Sequence, residues 1–180
     1  SASEYITRDL NSGRFDFFCG GISIPSREVE SEKLLKKGSN GIEFFTTQVL
    51  YDSKKIKKML KHYDDICKKN RVLPRRVLLS FAPVSSKKNI EFLKWLGVEI
   101  SSHTEKRLLN EDSDMTKISL EIAREILNDV LSNNEKNNIK VPIGLNVEHI
   151  MSYNFQHSIN MLQELSKIYR KFCIKTSLYD

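Results

Sequence analysis

What this chain lacks narrows it first. No stretch approaches the ~18–20 consecutive apolar residues that a bilayer-crossing helix needs, and no charged-then-apolar leader opens it. Its three cysteines, Cys19, Cys67 and Cys173, are odd in number, widely spaced and free of any CxxC pair. That usage predicts reduced thiols in an intracellular compartment, the cytoplasm, with the mitochondrion left open. The four histidines (His62, His103, His149, His157) show no metal-ligand spacing, so no metal site is expected. There is no internal repeat and no linker-like stretch, and 180 residues suffice for one domain with a real core. The expectation is a single α/β domain over residues 1–180.

What is present is ordinary in bulk, 39% apolar and 29% charged, but the +6 net charge is unevenly placed. Ser53–Arg76 carries ten basic residues against Asp64 and Asp65, or +8, so the rest of the chain is slightly acidic. A basic patch can mark a nucleic-acid or anionic-membrane partner. Here Ile56, Met59, Leu60, Tyr63 and Ile66 recur at helical spacing, which makes the lysines the outer face of an amphipathic helix. The glycine-aromatic pattern of an RNA-binding sheet is missing too, which argues against nucleic acid.

Strand-like and helix-like patterns alternate four times. Apolar runs at 15–24, 42–47, 77–81 and 141–147 are the strands. Between them lie a helix over 28–37 ended by Gly38, a long basic helix capped by Asp52, and a helix over about 86–96 stopping at Gly97. One turn near 104–109 and an amphipathic helix over 115–131 follow. Asn133–Asn138 reads as a polar loop, 153–172 as the last helix, and the final eight residues as a tail. Repeated β-then-α units imply parallel strands with helices packed outside. The pattern fits an open doubly wound sheet or half of an eightfold barrel equally well.

In either fold, ligands sit beyond the carboxyl ends of the strands. The first strand ends in Ser23, Pro25, Ser26 and Arg27, and the second in Gln48. The third ends in Ser80, Pro83, Ser85 and Ser86, and the fourth in Asn146 and Glu148. A lone Ser or Pro there is most simply a cap or a turn, and Glu148 a solvated loop residue. Gln48 and Asn146 are amides directly after apolar strands, without a capping duty. An amide donates and accepts at once, which suits the edge of a heterocycle better than a metal or a phosphate.

Five segments in order resemble the flavin-dependent methylenetetrahydrofolate reductase superfamily. They are Gly20-Gly21-Ile22-Ser23-Ile24-Pro25-Ser26-Arg27, Lys33-Leu34-Leu35-Lys36-Lys37, Phe44-Phe45-Thr46-Thr47-Gln48-Val49-Leu50-Tyr51-Asp52, Pro83-Val84-Ser85 with Glu91–Ile100, and Gly144-Leu145-Asn146-Val147-Glu148. The resemblance implies the C-terminal half of a (βα)8 TIM barrel, its fifth to eighth units. It implies an oxidoreductase taking 5,10-methylenetetrahydrofolate to 5-methyltetrahydrofolate through FAD, with NAD(P)H as reductant. By residue, Gln48 would read the pterin edge and Asn146 line the folate pocket. Pro25, Glu30, Lys33, Lys36 and Lys37 would face the flavin dinucleotide.

Two departures limit the match. The family's general acid belongs to the absent half, so no catalytic residue is assigned. Reductases of the family also carry an acid and a His after the Pro, where this chain has Ser26 and Arg27. The missing half must then come from elsewhere, in the same chain or in a homo- or hetero-oligomer. The alternative is a non-catalytic half-barrel serving as a binding or structural subunit.

Overall fold

The computed structural model describes residues 17–110 and 114–177. Four strands, β1 (Gly20–Ser23), β2 (Phe44–Thr47), β3 (Arg76–Phe81) and β4 (Ile143–Val147), form one parallel sheet in the order β1-β2-β3-β4. Between them run α1 (Glu30–Ser39), α2 (Lys54–Lys69), α3 (Lys87–Trp95), α4 (Ser102–Leu108) and α5 (Met115–Lys136). A single 3₁₀ turn at Ser152–Asn154 leads into α6 (Phe155–Ser177). A strictly sequential order, with crossovers of the usual hand, places every connecting helix on one face of the sheet. That is the arrangement of successive units in an eightfold barrel. A doubly wound sheet would reverse its strand order part-way. Phe15 and Asp16, read as the start of the first strand, lie outside the described residues.

By packing, the chain divides into two compact units. One holds the residues up to Gln48, Lys54–Leu79 and Asn134–Gly144; the other holds Val49–Ser53, Ser80–Asn133 and the residues from Leu145 on. In the first unit Phe45 meets Tyr63 of α2 edge-on, with ring centroids 6.4 Å apart. Leu34, Ile56 and Leu60 close the layer beneath, all fully buried. The lysines of α2 accordingly stand on its outer side. Asp64 is buried on the inner side, where its Oδ1 accepts from the Lys140 N–H at 3.0 Å and Lys68 pairs with Oδ2. In the second unit Leu79's successors Phe81, Ala82 and Val84 pack among Ile90, Leu93, Leu108, Leu127 and Met161, again all buried.

Helix ends are where the sequence misleads. Gly38 does not stop α1; the helix runs to Ser39, and Gly41 takes the left-handed position at φ 94°. The Ile42 N–H then reaches the Lys37 carbonyl and the Gly41 N–H that of Gly38, the paired bonds of a Schellman ending. The same two bonds close α2 around Arg71 (φ 54°) and α5 around Asn138 (φ 50°). Asn133–Asn138 is therefore not a loop. It is largely the last turn of α5, anchored because Leu131 and Asn134 are buried and Ile139 returns its N–H to the Asn134 carbonyl. The last helix likewise continues through residues read as a tail, to Ser177. Since α2 begins at Lys54, the position before it belongs to Ser53, not Asp52; the Ser53 hydroxyl bonds Asp129. Ser86 does cap α3, accepting from the Asn89 N–H.

No helix among the described residues is long and apolar enough to cross a membrane. Cys19, Cys67 and Cys173 are all free thiols.

Candidate functional site

Strand alternation decides which side chains face away from the helices. On β2, Phe45 and Thr47 are buried toward the helical layer, so Phe44, Thr46 and the following Gln48 take the other face. Their parallel neighbours there are Ile22 (partner of Thr46) and Leu78 (partner of Thr46 across β3). Leu78 lies flat over Gly144, where an added Cβ would sit 2.4 Å from it. Ile22 is 61% exposed on this face, and Phe18 is 72% exposed, its ring stacked on Phe44 at 5.2 Å. Gln48 thus stands, half-buried, at the carboxyl end of an apolar surface, with its N–H fixed to the Ser23 carbonyl at 2.8 Å.

The end of β1 is held by a charged clamp. Glu30, completely buried, accepts the Ile24 N–H at 3.1 Å. The Lys37 ammonium lies 3.8 Å from the same oxygen and donates to the Ile22 carbonyl at 2.6 Å. Arg27 approaches the other carboxylate oxygen at 4.0 Å. The structure therefore brings together two of the residues expected to face a flavin, Glu30 and Lys37, but spends them on shaping the strand end. Lys33 and Lys36 lie on the exposed side of α1, and Pro25 lines a groove beside the helix. Tested against a flavin dinucleotide, these residues offer cations suited to a pyrophosphate. They offer nothing to an isoalloxazine ring.

In the second unit the carboxyl ends of β3 and β4 carry a chain of polar groups. Asn146 Nδ2 donates to Ser80 Oγ at 3.0 Å and stands 3.4 Å from Glu148 Oε1. Ser80, fully buried, turns its own hydroxyl proton to the Glu148 carboxylate. Glu148 is fixed in its backbone, its N–H meeting the Phe81 carbonyl at 2.8 Å. Burial pushes the Glu148 carboxyl above its ordinary range, and the Ser80 bond only partly opposes that. Among the described residues no cation pairs with Glu148, and Asn146 Oδ1 accepts no hydrogen bond. Sequence reasoning passed over Glu148 as a solvated loop residue. The signal available was its spacing: two residues after Asn146, it falls on the same side of the strand end.

Other residues singled out by the sequence have structural duties. Tyr51 is buried, and its hydroxyl donates to the Ala82 carbonyl at 2.9 Å; burial holds its phenol far above the usual range. Ser85 joins buried Asn89 and Asn154 in a network closed by Tyr153 and the Pro83 carbonyl. No group of three or more potential metal ligands occurs among the described residues.

No family model matches the sequence, and no curated protein matches it. A solved structure does, with TM-score 0.77 and 25% identity over 92% of this chain: an uncharacterized protein from Clostridium thermocellum that binds two copies of 5-methyl-5,6,7,8-tetrahydrofolic acid. The chain spans 58% of that protein's length.

Proposed function

We propose that this chain binds a reduced folate at the carboxyl ends of its strands. The observation that carries this is its structural likeness, over 92% of its residues, to a protein that binds 5-methyltetrahydrofolate. Gln48 and Asn146 are the residues assigned to the ligand. A pterin edge presents alternating donors and acceptors, which amides can match on both counts. Glu148, its carboxyl raised by burial, adds an acceptor for ring N–H groups beside Asn146. Calorimetric titration with 5-methyltetrahydrofolate tests the reading. Saturable binding that falls about tenfold or more in Gln48→Ala supports it, on the cost of one buried polar partner left unpaired. A chain that takes up no folate refutes it.

The finer reading is a methylenetetrahydrofolate reductase-like chain, supported by the five segments in order. Flavin, when bound, would supply the two-electron reduction and NAD(P)H would restore it. This chain's residues would then hold the pterin through Gln48 and offer Lys33 and Lys36 to the dinucleotide's phosphates, beside the strand end that Lys37 fixes. Yellow absorbance retained by the purified protein, bleached by NADH or NADPH, is the expected result; a colourless protein that bleaches no added flavin counts against it.

A second reading, a non-catalytic subunit of a larger assembly, draws on the uncovered face around Ile22, Phe18 and Phe44. Apolar surface of that kind marks an interaction site. Light scattering that finds a stable, colourless complex would favour it over the reductase.

A further inference from the structure

The polar cluster at the carboxyl ends of β3 and β4 has a hydrogen-bond direction. Ser80, completely buried, gives its hydroxyl proton to the Glu148 carboxylate, which leaves its oxygen to accept. It accepts from Asn146 Nδ2 at 3.0 Å. The same nitrogen stands 3.4 Å from Glu148 Oε1. An amide nitrogen carries two hydrogens, so both meet an acceptor within the cluster. The side-chain donors of these three residues are thereby turned on one another.

What the cluster keeps for a ligand is accepting capacity. Asn146 Oδ1 accepts no hydrogen bond among the described residues. A carboxylate has about four lone-pair positions, and Glu148 has the Ser80 hydroxyl and the Asn146 amide on its own. Both side chains are only half-buried, so these acceptors are within reach of a ligand. The Glu148 N–H, bonded to the Phe81 carbonyl at 2.8 Å, fixes the stem of the carboxylate at the strand end.

We propose that Glu148 and Asn146 together read a donor–donor edge, an amino group beside a ring N–H, and so restrict the ligand to heterocycles of the 2-amino-4-oxopyrimidine class. The proposal rests on the reading of this strand end as part of a reduced-folate site and adds which edge of the ring is taken there. A pterin presents that edge at its 2-amino group and the adjacent N3–H. Each of those donors then meets an acceptor, on the Glu148 carboxylate or at Asn146 Oδ1. They would also restore hydrogen bonds that burial takes from the carboxylate. A ring with a carbonyl in place of the amino group sets an oxygen against these acceptors and leaves them unpaired.

The test is calorimetric titration of the full chain with pterin (2-amino-4-oxopteridine) and lumazine (2,4-dioxopteridine), alongside 5-methyltetrahydrofolate. Pterin should bind at least about thirtyfold more tightly than lumazine, because a site built to bond an N–H rejects the analogue that lacks it. Glu148→Gln, which turns one carboxylate oxygen into a donor, should cut that preference to about threefold or less. Glu91→Gln, on the exposed side of α3, should leave it unchanged. Equal binding of the two pteridines, or a preference that survives in Glu148→Gln, overturns the proposal. If 5-methyltetrahydrofolate still binds in that case, the folate reading stands without it. A chain that prefers pterin but takes up no folate refutes the folate reading and retains the edge assignment. Binding of none of the three overturns both. Should Glu148→Gln melt early by circular dichroism, the pterin-to-lumazine ratio of the unmodified chain decides, and equal binding overturns the proposal.

Discussion

Two carboxylates stand at strand ends in this chain, and the fold treats them in opposite ways. Glu30, at the end of β1, is completely buried, bonded to the Ile24 N–H and flanked by Lys37 and Arg27. Glu148, at the end of β4, is half-buried, faces two neutral groups and has its carboxyl raised by burial. A buried charge is tolerated only when opposite charge and hydrogen bonds replace its water. Glu30 has most of that replacement, through the Ile24 N–H and two cations, although its Oε2 accepts no hydrogen bond and has only Arg27 at 4.0 Å. Glu148 has it only in part, and burial raises its carboxyl accordingly. An acid expected to contact a cofactor is thereby architectural, and one expected to be a bystander has the chemistry of a site.

The largest effect that could break this contrast is on stability. Glu30→Ala leaves the Ile24 N–H and two cations without their partner. It should cost about 3 kcal/mol in denaturant unfolding, near the low end for a broken buried pair because Lys37 retains 28% exposure. Glu148→Ala should cost less than half of that; equal losses would erase the distinction. Next comes ligand affinity. Asn146→Ala, which removes the donor to Ser80, should weaken 5-methyltetrahydrofolate about fivefold, while Lys33→Ala on the exposed side of α1 leaves it unchanged.

A smaller effect calibrates what backbone conformation alone contributes. Arg71→Gly and Asn138→Gly should each raise stability by about 0.5 kcal/mol by relieving a left-handed residue, well below the Glu30 loss. The smallest sharpens the contrast by pH. Because the Glu148 carboxyl is raised in the folded state, its contribution is fully present below the unfolded value of about 4.3 and is lost as pH rises through the folded value. Glu148→Gln should remove that decline, read as a flatter unfolding free energy from pH 4 upward. Glu125 contributes with the opposite sign, since Arg107 holds its carboxyl low and its share disappears on acidification.

The strands and their order of use were legible because a parallel sheet demands near-continuous apolar runs, and Ile42–Thr47 and Val77–Phe81 supply them. Gln48 and Asn146 were legible as polar interruptions of those runs. The helix ends were not. Left-handed closure is ordinarily announced by glycine, as Gly41 and Gly97 do here, but Arg71 and Asn138 adopt it too, each closed by the same pair of backbone bonds. Nor could the fate of Glu30, Lys37 and Glu148 be read, because all three look alike in sequence. Burial and partners separate them, and those are properties of the folded chain.

The face bearing Ile22, Phe18 and Phe44 carries one more consequence. Among the described residues β1 lies at an edge of the sheet beside this exposed aromatic surface, a combination on which proteins stick to one another. Any surface laid against that face would bury its aromatic rings and keep copies of the chain from meeting there.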